Sequence, residues 1–484
     1  MEIELKLHVP AARVPEVRAA VVGDGGSAGR VHLQATYLDS DDHALATAGM
    51  GWRLRKENRQ WVQTLKATMA DGDGMRRAEH NVPRKGTRRP EADAALHAGT
   101  EAGDRLAEVL ATGAAVREQF STDVWRDTRR VRVTGGTVEL AFDLGLITSG
   151  DRSLEVSELE IELVRGSAAA VIAAAKRWAP RHGLWLDAAT KAQRGNMLAA
   201  GAEQLGVARA PKATLDPAMS VDAALREMTR VCMIQVLGNA SAIAAGLGGP
   251  EHIHQARVGI RKLRTVLGEF GRRCPSVDPT WRDDLADVFE VLGASRDREV
   301  VIGGWLKALA DKGAPPLPLP PVEGQDPGEL LRTVDTTTLF LDLLAYAYGE
   351  PDEEGDEPLV DVVAGVLQRL RKHSVKRADV FRRLAIEEQH EVRKELKRLR
   401  YVAELTSSLF GRKKVERYIR TLEPAQDALG HLNDLAVATE VFGELAATDP
   451  NAWFAVGWLK SRHDRTVKDC VKPLRQARDA KRFW

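Results

Sequence analysis

Two segments of the sequence carry acidic side chains at every second position. The acidic positions are Glu2 and Glu4, which Lys6 follows, and then Glu158, Glu160 and Glu162. Asp143, in a separate segment, could join them. Because alternate side chains of a β-strand point to one face, each segment predicts a strand with an acidic face. Crowded carboxylates stay ionised only when they are solvated or bound to cations, and such hard oxygen ligands suit Mg²⁺ or Mn²⁺. One such strand is typical of a solvated surface, whereas two with matching cations favour a metal site.

Basic side chains alternate in the same way between and just beyond the acidic segments. They are Arg53, Arg55, Lys66, Arg77, Arg126 and Lys191. If the strands close into a barrel, inward-pointing acids would hold metal ions at one side and inward-pointing bases would hold phosphate oxygens at the other. A triphosphate or a longer polyphosphate suits this pattern of charge.

The order of these motifs resembles that of the CYTH family of triphosphate tunnel metalloenzymes. The motifs that carry the resemblance are Glu2-x-Glu4-x-Lys6, Arg53-x-Arg55, Thr64-Leu65-Lys66, Arg77-x-Glu79, Asp143, Glu158-x-Glu160 and Thr190-Lys191. The resemblance implies an eight-stranded antiparallel tunnel. It implies metal ligands at Glu2, Glu4, Asp143, Glu158 and Glu160. It implies phosphate binding by Lys6, Arg53, Arg55, Lys66, Arg77, Arg126 and Lys191, and a catalytic role for Glu2, Glu4, Lys6 and Glu79.

The mechanism that follows from this resemblance is metal-assisted hydrolysis. One ion and the basic residues would neutralise the phosphate oxygens, while a second ion would activate a water for in-line attack on the terminal phosphorus. Isolated histidines near strands are more often structural, so we expect no catalytic role for His8, His32 or His80. Glu162 could replace a neighbouring acid in register. The alternatives to Arg126 are Arg117, Arg129 and Arg130.

Two segments in the second half carry cations at the offsets 0, 3, 7 and 10, which fall on one stripe of a helix. The stripes are His254, Arg257, Arg261 and Arg264, and His390, Arg393, Lys397 and Arg400, related by a constant offset of 136 residues. A charge run is usually a solvated face, and that interpretation suits residues 369–377, whose cations select no single face. Two facing cationic stripes would repel each other unless an anion lay between them.

The stripes resemble the CHAD domain, a duplicated helical bundle associated with inorganic polyphosphate. The resemblance rests also on two Leu-Gly-x-x-x-Asp elements, which end at Asp297 and Asp434. It implies that both stripes bind polyphosphate. Gly293 and Gly430, inside these elements, are expected at helix ends. Because histidine gains charge near neutral pH, we expect tighter polyanion binding in mildly acidic solution.

The elements that must position these residues divide the chain into two parts. Period-two alternation dominates residues 1–203 and predicts an antiparallel sheet with flanking helices, whereas residues 219–484 follow the helical period. The sequence therefore predicts a multidomain α+β protein with an N-terminal tunnel domain and a C-terminal all-α bundle. Residues 204–218 are interpreted as a linker, and the bundle as two repeats, at about residues 219–320 and 330–484.

Length and composition agree with this division. A chain of 484 residues exceeds the usual size of one core, and its 70 basic and 69 acidic residues leave a net charge of only +1. The three cysteines show no metal-binding spacing. The absence of a signal-peptide pattern and of a long apolar run predicts a cytoplasmic protein with no membrane partner, and polyphosphate granules are its expected location.

The arrangement of the two domains resembles bacterial inorganic triphosphatases. It implies metal-dependent hydrolysis of inorganic triphosphate to pyrophosphate and phosphate, with polyphosphate bound by the helical half. The alternatives are a nucleoside, RNA or thiamine triphosphatase, a class IV adenylyl cyclase-like enzyme, and a non-catalytic polyphosphate scaffold. No groove-reading motif is visible, so nucleic acid is not an expected partner.

Overall fold

The structure, a computed structural model, describes residues 2–23, 29–68, 75–113, 115–296, 302–317, 324–352 and 357–484. A few side chains within these ranges lie outside the description. They are those of Glu2, Arg76, Arg77, Ala294, Ser295, Arg296 and Ile302.

An antiparallel sheet dominates the first part of the chain. Its strands are β1 (Glu2–His8), β2 (Gly29–Ser40), β3 (Met50–Glu57), β4 (Gln60–Thr68), β5 (Arg76–Arg84), β6 (Val116–Val133), β7 (Gly136–Ser149), β8 (Arg152–Gly166) and the short β9 (Trp185–Leu186). Their order is β5-β4-β3-β2-β6-β7-β8-β1-β9, and a further pairing of β5 with β1 closes the first eight into a ring. The predicted eight-stranded tunnel is thus confirmed, with β9 added beside β1.

Strand β1 closes the ring because its two ends pair with different neighbours. Its first residues, Glu2 and Ile3, pair with β5, and its residues from Glu4 to His8 pair with β8. In the resulting ring order, β3 lies opposite β8 and β4 lies opposite β7. The strands that carry the predicted phosphate-binding bases therefore face those that carry the predicted metal-binding acids.

The apolar faces of the strands point outward and are covered by helices. These are α1 (Val14–Val22), α2 (Ala44–Thr47), α3 (Glu101–Leu110), α4 (Ala168–His182) and α5 (Lys191–Ala199). Helix α4 packs on β1, β7 and β8. Beneath α3, Leu106 joins Trp52 and Leu65 in an apolar cluster. The barrel therefore keeps its charged faces inside, and its apolar core lies between the strands and the helices.

The second part of the chain is helical, as predicted. Its helices are α6 (Val221–Ala244), α7 (Pro250–Phe270), α8 (Trp281–Arg296), α9 (Ile302–Ala310), α10 (Pro327–Leu331), α11 (Val334–Ala347), α12 (Leu359–Val375), α13 (Ile386–Leu405), α14 (Arg412–Leu445) and α15 (Ala452–Asp479). Residues 204–218 contain neither helix nor strand. Asn239 fixes this segment, because its amide oxygen accepts a 3.2 Å hydrogen bond from the backbone N–H of Ala208. None of the described helices is long and apolar enough to cross a membrane.

The internal repeat is visible in the helices, since α13 begins 136 residues after α7. The expectation of a helix end was wrong for Gly430, which lies well inside α14, whereas Gly293 lies in the last turn of α8. A Cβ atom at Gly293 would lie 2.9 Å from a guanidinium nitrogen of Arg257, whereas no atom of the described residues lies within 4 Å of that position at Gly430. Gly293 therefore makes room for an arginine of the basic stripe.

By compactness the chain forms two units, each made of three segments. Unit 1 contains Met1–Pro211, Met233–Ala256 and Pro327–Gly349, and unit 2 contains Lys212–Cys232, Arg257–Asp326 and Glu350–Trp484. Within unit 1, helix α11 packs against α4, and Asp342 pairs with Lys176. Segments of the helical half thus pack with the barrel.

The cluster beneath α3 should carry much of the stability of the barrel. Leu106 is fully buried, so we expect Leu106→Ala to lower the free energy of unfolding by about 3 kcal/mol through lost burial and a cavity. Leu144 is 39 % exposed on β7, and Leu144→Ala should cost less than about 1 kcal/mol. Denaturant unfolding of both variants tests this, and equal losses would contradict the assigned core.

Candidate active site

The interior of the barrel contains a cavity of about 450 Å³. Ten of the predicted site residues line it: Glu4, Lys6, Arg53, Arg55, Lys66, Glu79, Arg126, Asp143, Glu160 and Lys191. Glu158 is fully buried beside them. The side chains of Glu2 and Arg77 lie outside the described part of the structure, although their backbones pair in the sheet. The structure thus brings together residues from seven strands and one helix.

Strand register places acids and cations side by side on one wall. Asp143 of β7 lies between Arg126 of β6 and Glu158 of β8. On the next strand, Lys6 lies opposite Glu160. Directly paired residues have side chains close enough to interact, so the acids and cations of this wall form one interacting layer.

Cations pair with every acid of this wall, which we call the acidic wall and define as Glu4, Asp143, Glu158, Glu160 and Glu162. Lys6 Nζ lies 3.6 Å from Glu4, and Arg126 and Lys191 pair with the other four acids. Arg126 donates to both oxygens of Asp143 at 2.7 Å and pairs with Glu160 and Glu162. Lys191 Nζ lies 2.5 Å from Asp143 Oδ2, 2.5 Å from Glu158 Oε1 and 3.0 Å from Glu160 Oε1.

The charges of this wall depend on one another. Burial would raise the pKa of Glu160, but Arg126, Lys191 and Lys6 hold that pKa well below its ordinary value. Burial and the neighbouring Glu160 raise the pKa of Glu158, against the opposing effect of Lys191. Burial would lower the pKa of Lys191, but the surrounding carboxylates raise it far above its usual range. The carboxylates of the wall therefore remain ionised only while cations neutralise them.

The opposite wall is basic. Arg53 donates a 2.9 Å hydrogen bond to the hydroxyl of Tyr37, and Lys66 lies 3.1 Å from Glu79. Burial and repulsion from Arg53 lower the pKa of Arg55. Because part of this effect is repulsion between two guanidinium groups, an anion beside Arg53 and Arg55 would be stabilised.

The acidic wall offers two groups of carboxylates that could hold a metal ion. Asp143, Glu158 and Glu160 each place one oxygen within 4.8 Å of the others, and so do Glu4, Glu160 and Glu162. Three clustered carboxylate oxygens are the donor set that Mg²⁺ and Mn²⁺ prefer. Glu160 belongs to both groups, and Glu162 is an addition to the ligands expected from the sequence.

Helix α5 positions Lys191 through its first turn. The Thr190 hydroxyl accepts a 3.0 Å hydrogen bond from the backbone of Gln193, whose side chain accepts one from the Thr190 backbone at 2.9 Å. This reciprocal cap fixes the start of α5, so Lys191 enters the cavity from its first helical position.

Sequence reasoning missed Arg194, which is buried and donates to Glu158 at 3.1 Å. Its signal was present, because residues three apart on a helix share a face and Lys191 precedes it by three positions. Tyr37 carried no comparable signal. None of His8, His32 and His80 lines the cavity; His8 stacks on Trp185 and His32 on Trp125.

A second cluster of cations lies in unit 2, where α7 and α13 contribute to one environment. Arg257 and Arg261 both lie over the ring of Phe289, at 4.4 and 5.0 Å from its centroid. Burial lowers the pKa of Lys397 to about 7, and repulsion from Arg393, Arg261 and Arg257 adds to this effect, which Asp434 opposes. Cations of both stripes therefore repel one another, as is expected of cations that surround an anion-binding site.

The remaining stripe residues have other neighbours. Arg264 donates to the carbonyl of Arg282 at 3.0 Å, and Arg400 donates to Glu404 at 2.6 Å. Burial and the adjacent Arg393 lower the pKa of His390. His254 is half-buried on α7, in the part of that helix that belongs to unit 1. Asp297 lies outside the described residues.

Comparison with known proteins follows the same division of the chain. The CYTH domain family matches residues 1–195 and the CHAD domain family matches residues 227–443. The inorganic triphosphatase of Haemophilus influenzae is 30% identical over 167 residues, which are 34% of this chain and 46% of that protein. The match thus spans about half the length of this curated relative.

Solved structures are similar to each half in turn. The CHAD domain of Ricinus communis is 25% identical with a TM-score of 0.47, covering 57% of this chain and 98% of that one. HpAC1 of Hippeastrum, described as having a dominant triphosphatase activity, is 16% identical with a TM-score of 0.29, covering 42% of this chain and 97% of that one. The two family matches assign residues 1–195 to the CYTH domain family and residues 227–443 to the CHAD domain family, so the chain joins one domain of each family.

Proposed function

We propose that the CYTH domain hydrolyses inorganic triphosphate to pyrophosphate and phosphate with the help of divalent metal ions. The observation that carries the proposal is the opposed charge of the two cavity walls, with the acidic wall on one side and Arg53, Arg55 and Lys66 on the other. A triphosphate with bound metal ions has the complementary distribution of charge. The similarity to an inorganic triphosphatase supports the same class of reaction.

Arg53, Arg55 and Lys66 would bind the phosphate oxygens, with Lys6 and Arg77 on neighbouring strands. Guanidinium groups bind two oxygens of a phosphate at once, and the mutual repulsion of Arg53 and Arg55 would be relieved by an anion. Glu79 holds Lys66 at 3.1 Å and so orients it. These contacts keep the triphosphate extended along the basic wall.

Asp143, Glu158 and Glu160 would hold one Mg²⁺ or Mn²⁺ ion, and Glu4, Glu160 and Glu162 a second, with Glu2 nearby at the start of β1. When bound, such ions neutralise phosphate charge and lower the pKa of a coordinated water. Arg126 and Lys191 line the cavity. Their charge becomes available to phosphate oxygens when the carboxylates gain another counter-ion.

The lining favours an inorganic substrate over a nucleotide. Among the described residues that line the cavity, the single aromatic one is Tyr37, which is buried with its hydroxyl bound to Arg53. A base or a thiazole ring would therefore find no exposed aromatic face on which to stack. Nucleotides and thiamine triphosphate remain the comparison substrates for the assay below.

We also propose that the CHAD domain binds inorganic polyphosphate through both stripes, and that this holds the cytoplasmic enzyme at polyphosphate granules. The support is the cluster of Arg257, Arg261, Arg393 and Lys397, whose members repel one another. A chain of phosphates brought between them would convert that repulsion into attraction. The alternative of a purely non-catalytic scaffold would leave the charged cavity of the barrel without a role.

The activity is tested with tripolyphosphate, ATP and thiamine triphosphate, each with Mg²⁺ or Mn²⁺, by measuring phosphate and cyclic AMP. We expect phosphate release to be fastest from tripolyphosphate. Glu4→Gln should lower kcat by about 100-fold or more, because loss of a charged ligand removes several kcal/mol of transition-state stabilisation. Glu155→Gln, at an exposed position of β8, is the matched control and should change kcat less than about twofold. No turnover of any substrate would refute the proposed enzyme.

Binding by the CHAD domain is tested with long-chain polyphosphate. Replacing Arg257, Arg261, Arg393 and Lys397 by Ala should weaken binding by at least about 100-fold, since charge-assisted contacts contribute roughly 1.5–3 kcal/mol each. Tripolyphosphate turnover should stay within about twofold. The control removes the same charge from the exposed Arg369, Lys372, Lys376 and Arg377. An equal loss of polyphosphate affinity in that control would show that binding depends on net charge and not on the two stripes.

Polyphosphate binding should depend on pH through Lys397. Its pKa of about 7 in the free protein must rise when an anion binds, because the anion favours the charged ammonium. Affinity should therefore be about tenfold higher at pH 6 than at pH 8. Lys397→Arg should abolish this dependence, whereas His390→Gln should leave most of it. Titration calorimetry of the variants at both pH values shows whether Lys397 or His390 causes the dependence. Equal affinity of the wild-type protein at both pH values would exclude both residues.

A further inference from the structure

The two oxygens of Glu158 are held by different cations. Lys191 Nζ contacts Oε1 at 2.5 Å, and Arg194 Nη1 donates to Oε2 at 3.1 Å. Both cations belong to α5 and lie three residues apart. Lys191 lines the cavity, whereas Arg194 does not and is 5% exposed. Glu158 is therefore bound from the cavity side by one cation and from the α5 side by another.

Arg194 is itself fixed by a second carboxylate. Its Nη2 pairs with Asp187, which is 2% exposed. The backbone N–H of Asp187 donates to the carbonyl of Lys6 at 3.0 Å, and Asp187 Oδ1 accepts from the N–H of Ala189 at 3.0 Å. Asp187 is thus attached to strand β1, and the pair connects β1 through α5 to Glu158 on β8.

We propose that Arg194, seated by Asp187, is the positioning residue that keeps Glu158 oriented towards the cavity and neutralised from behind. Lys191 is less suited to this purpose, because it also pairs with Asp143 and Glu160 and would bind phosphate in the proposed function. Arg194 has no such competing role, since it does not reach the cavity. The inference rests on the proposed metal-binding role of Glu158, but not on the identity of the triphosphate.

The geometry explains why an arginine is required. A guanidinium group is planar and presents several donors in a fixed fork, so it can bind Glu158 and Asp187 at the same time. Lysine has a single point of charge and would satisfy the two carboxylates less well. Groups that orient a metal ligand from behind typically contribute 10- to 100-fold to metal affinity.

The first test measures the dissociation constant of Mn²⁺ by electron paramagnetic resonance, without any triphosphate. We expect Arg194→Met to raise it by about 10- to 100-fold, and Arg194→Lys to recover part of the loss. The control is Arg152→Met. Arg152 is a half-buried arginine that braces the end of the same helix through the carbonyls of Leu198 and Ala202 but is not bonded to the acidic wall. An equal effect of the control, or a change below about twofold in Arg194→Met, would overturn the proposal.

The second test is a double-mutant cycle, which separates positioning from general destabilisation. If Arg194 acts through Glu158, Arg194→Met should change Mn²⁺ affinity little when Glu158→Gln is already present. Combined with Glu4→Gln, its effect should be additive. Additivity with Glu158→Gln would contradict the proposal. Should Arg194→Met fail to fold, Arg194→Lys and Asp187→Asn give the same comparisons.

These outcomes are distinct from those of the proposed function. A protein that binds Mn²⁺ with the expected dependence on Arg194 yet turns over no triphosphate would refute the proposed reaction and retain this inference. A wild-type protein that binds neither Mn²⁺ nor Mg²⁺ would overturn both.

Discussion

The barrel depends on the neutralisation of carboxylates that its own fold forces together. Register places Asp143, Glu158 and Glu160 on adjacent strands with their side chains in one layer, and nothing in an antiparallel sheet would hold such a layer without counter-charges. Arg126 and Lys191 supply them. The same cations that stabilise the fold are those expected to bind substrate, so stability and activity draw on one set of charges. This also explains the inverted pattern of the barrel, with charge inside and apolar faces under helices.

The sequence pattern alone was sufficient to predict the strands of the barrel and which of their side chains point inward. Period-two alternation predicted the strands and their inward faces, because local alternation is a direct consequence of strand geometry. The closed eight-stranded tunnel was implied by the resemblance to the CYTH family. Register was not predictable, since it depends on pairings between residues far apart in sequence, such as Lys6 with Glu160. Spacing alone could place Arg194 on the helix face of Lys191, but its contacts with Asp187 and Glu158 appear only after folding.

In the helical half, the internal repeat predicts which helices correspond to each other but not the surroundings of their side chains. The offset of 136 residues correctly related α7 to α13, because helical period survives duplication. Gly430 was misjudged, since a glycine can end a helix or admit a neighbour, and only its surroundings decide. Gly293 admits Arg257, whereas no atom of the described residues approaches the Cβ position of Gly430. The equivalent glycines of the two repeats therefore differ in their surroundings.

The double pairing of β1 has a kinetic consequence. The strand contacts β5 at residues about 75 positions away and β8 at residues about 155 positions away, and contacts of such large sequence separation form slowly because loop closure must come first. Glu4 and Lys6 can join Glu160 and Glu162 only when β1 has docked. The group of Glu4, Glu160 and Glu162 is consequently absent from any folding intermediate that lacks β1, whereas Asp143, Glu158 and Glu160 already lie on the paired strands β7 and β8. A metal ion bound through Glu4 would then report that the ring has closed.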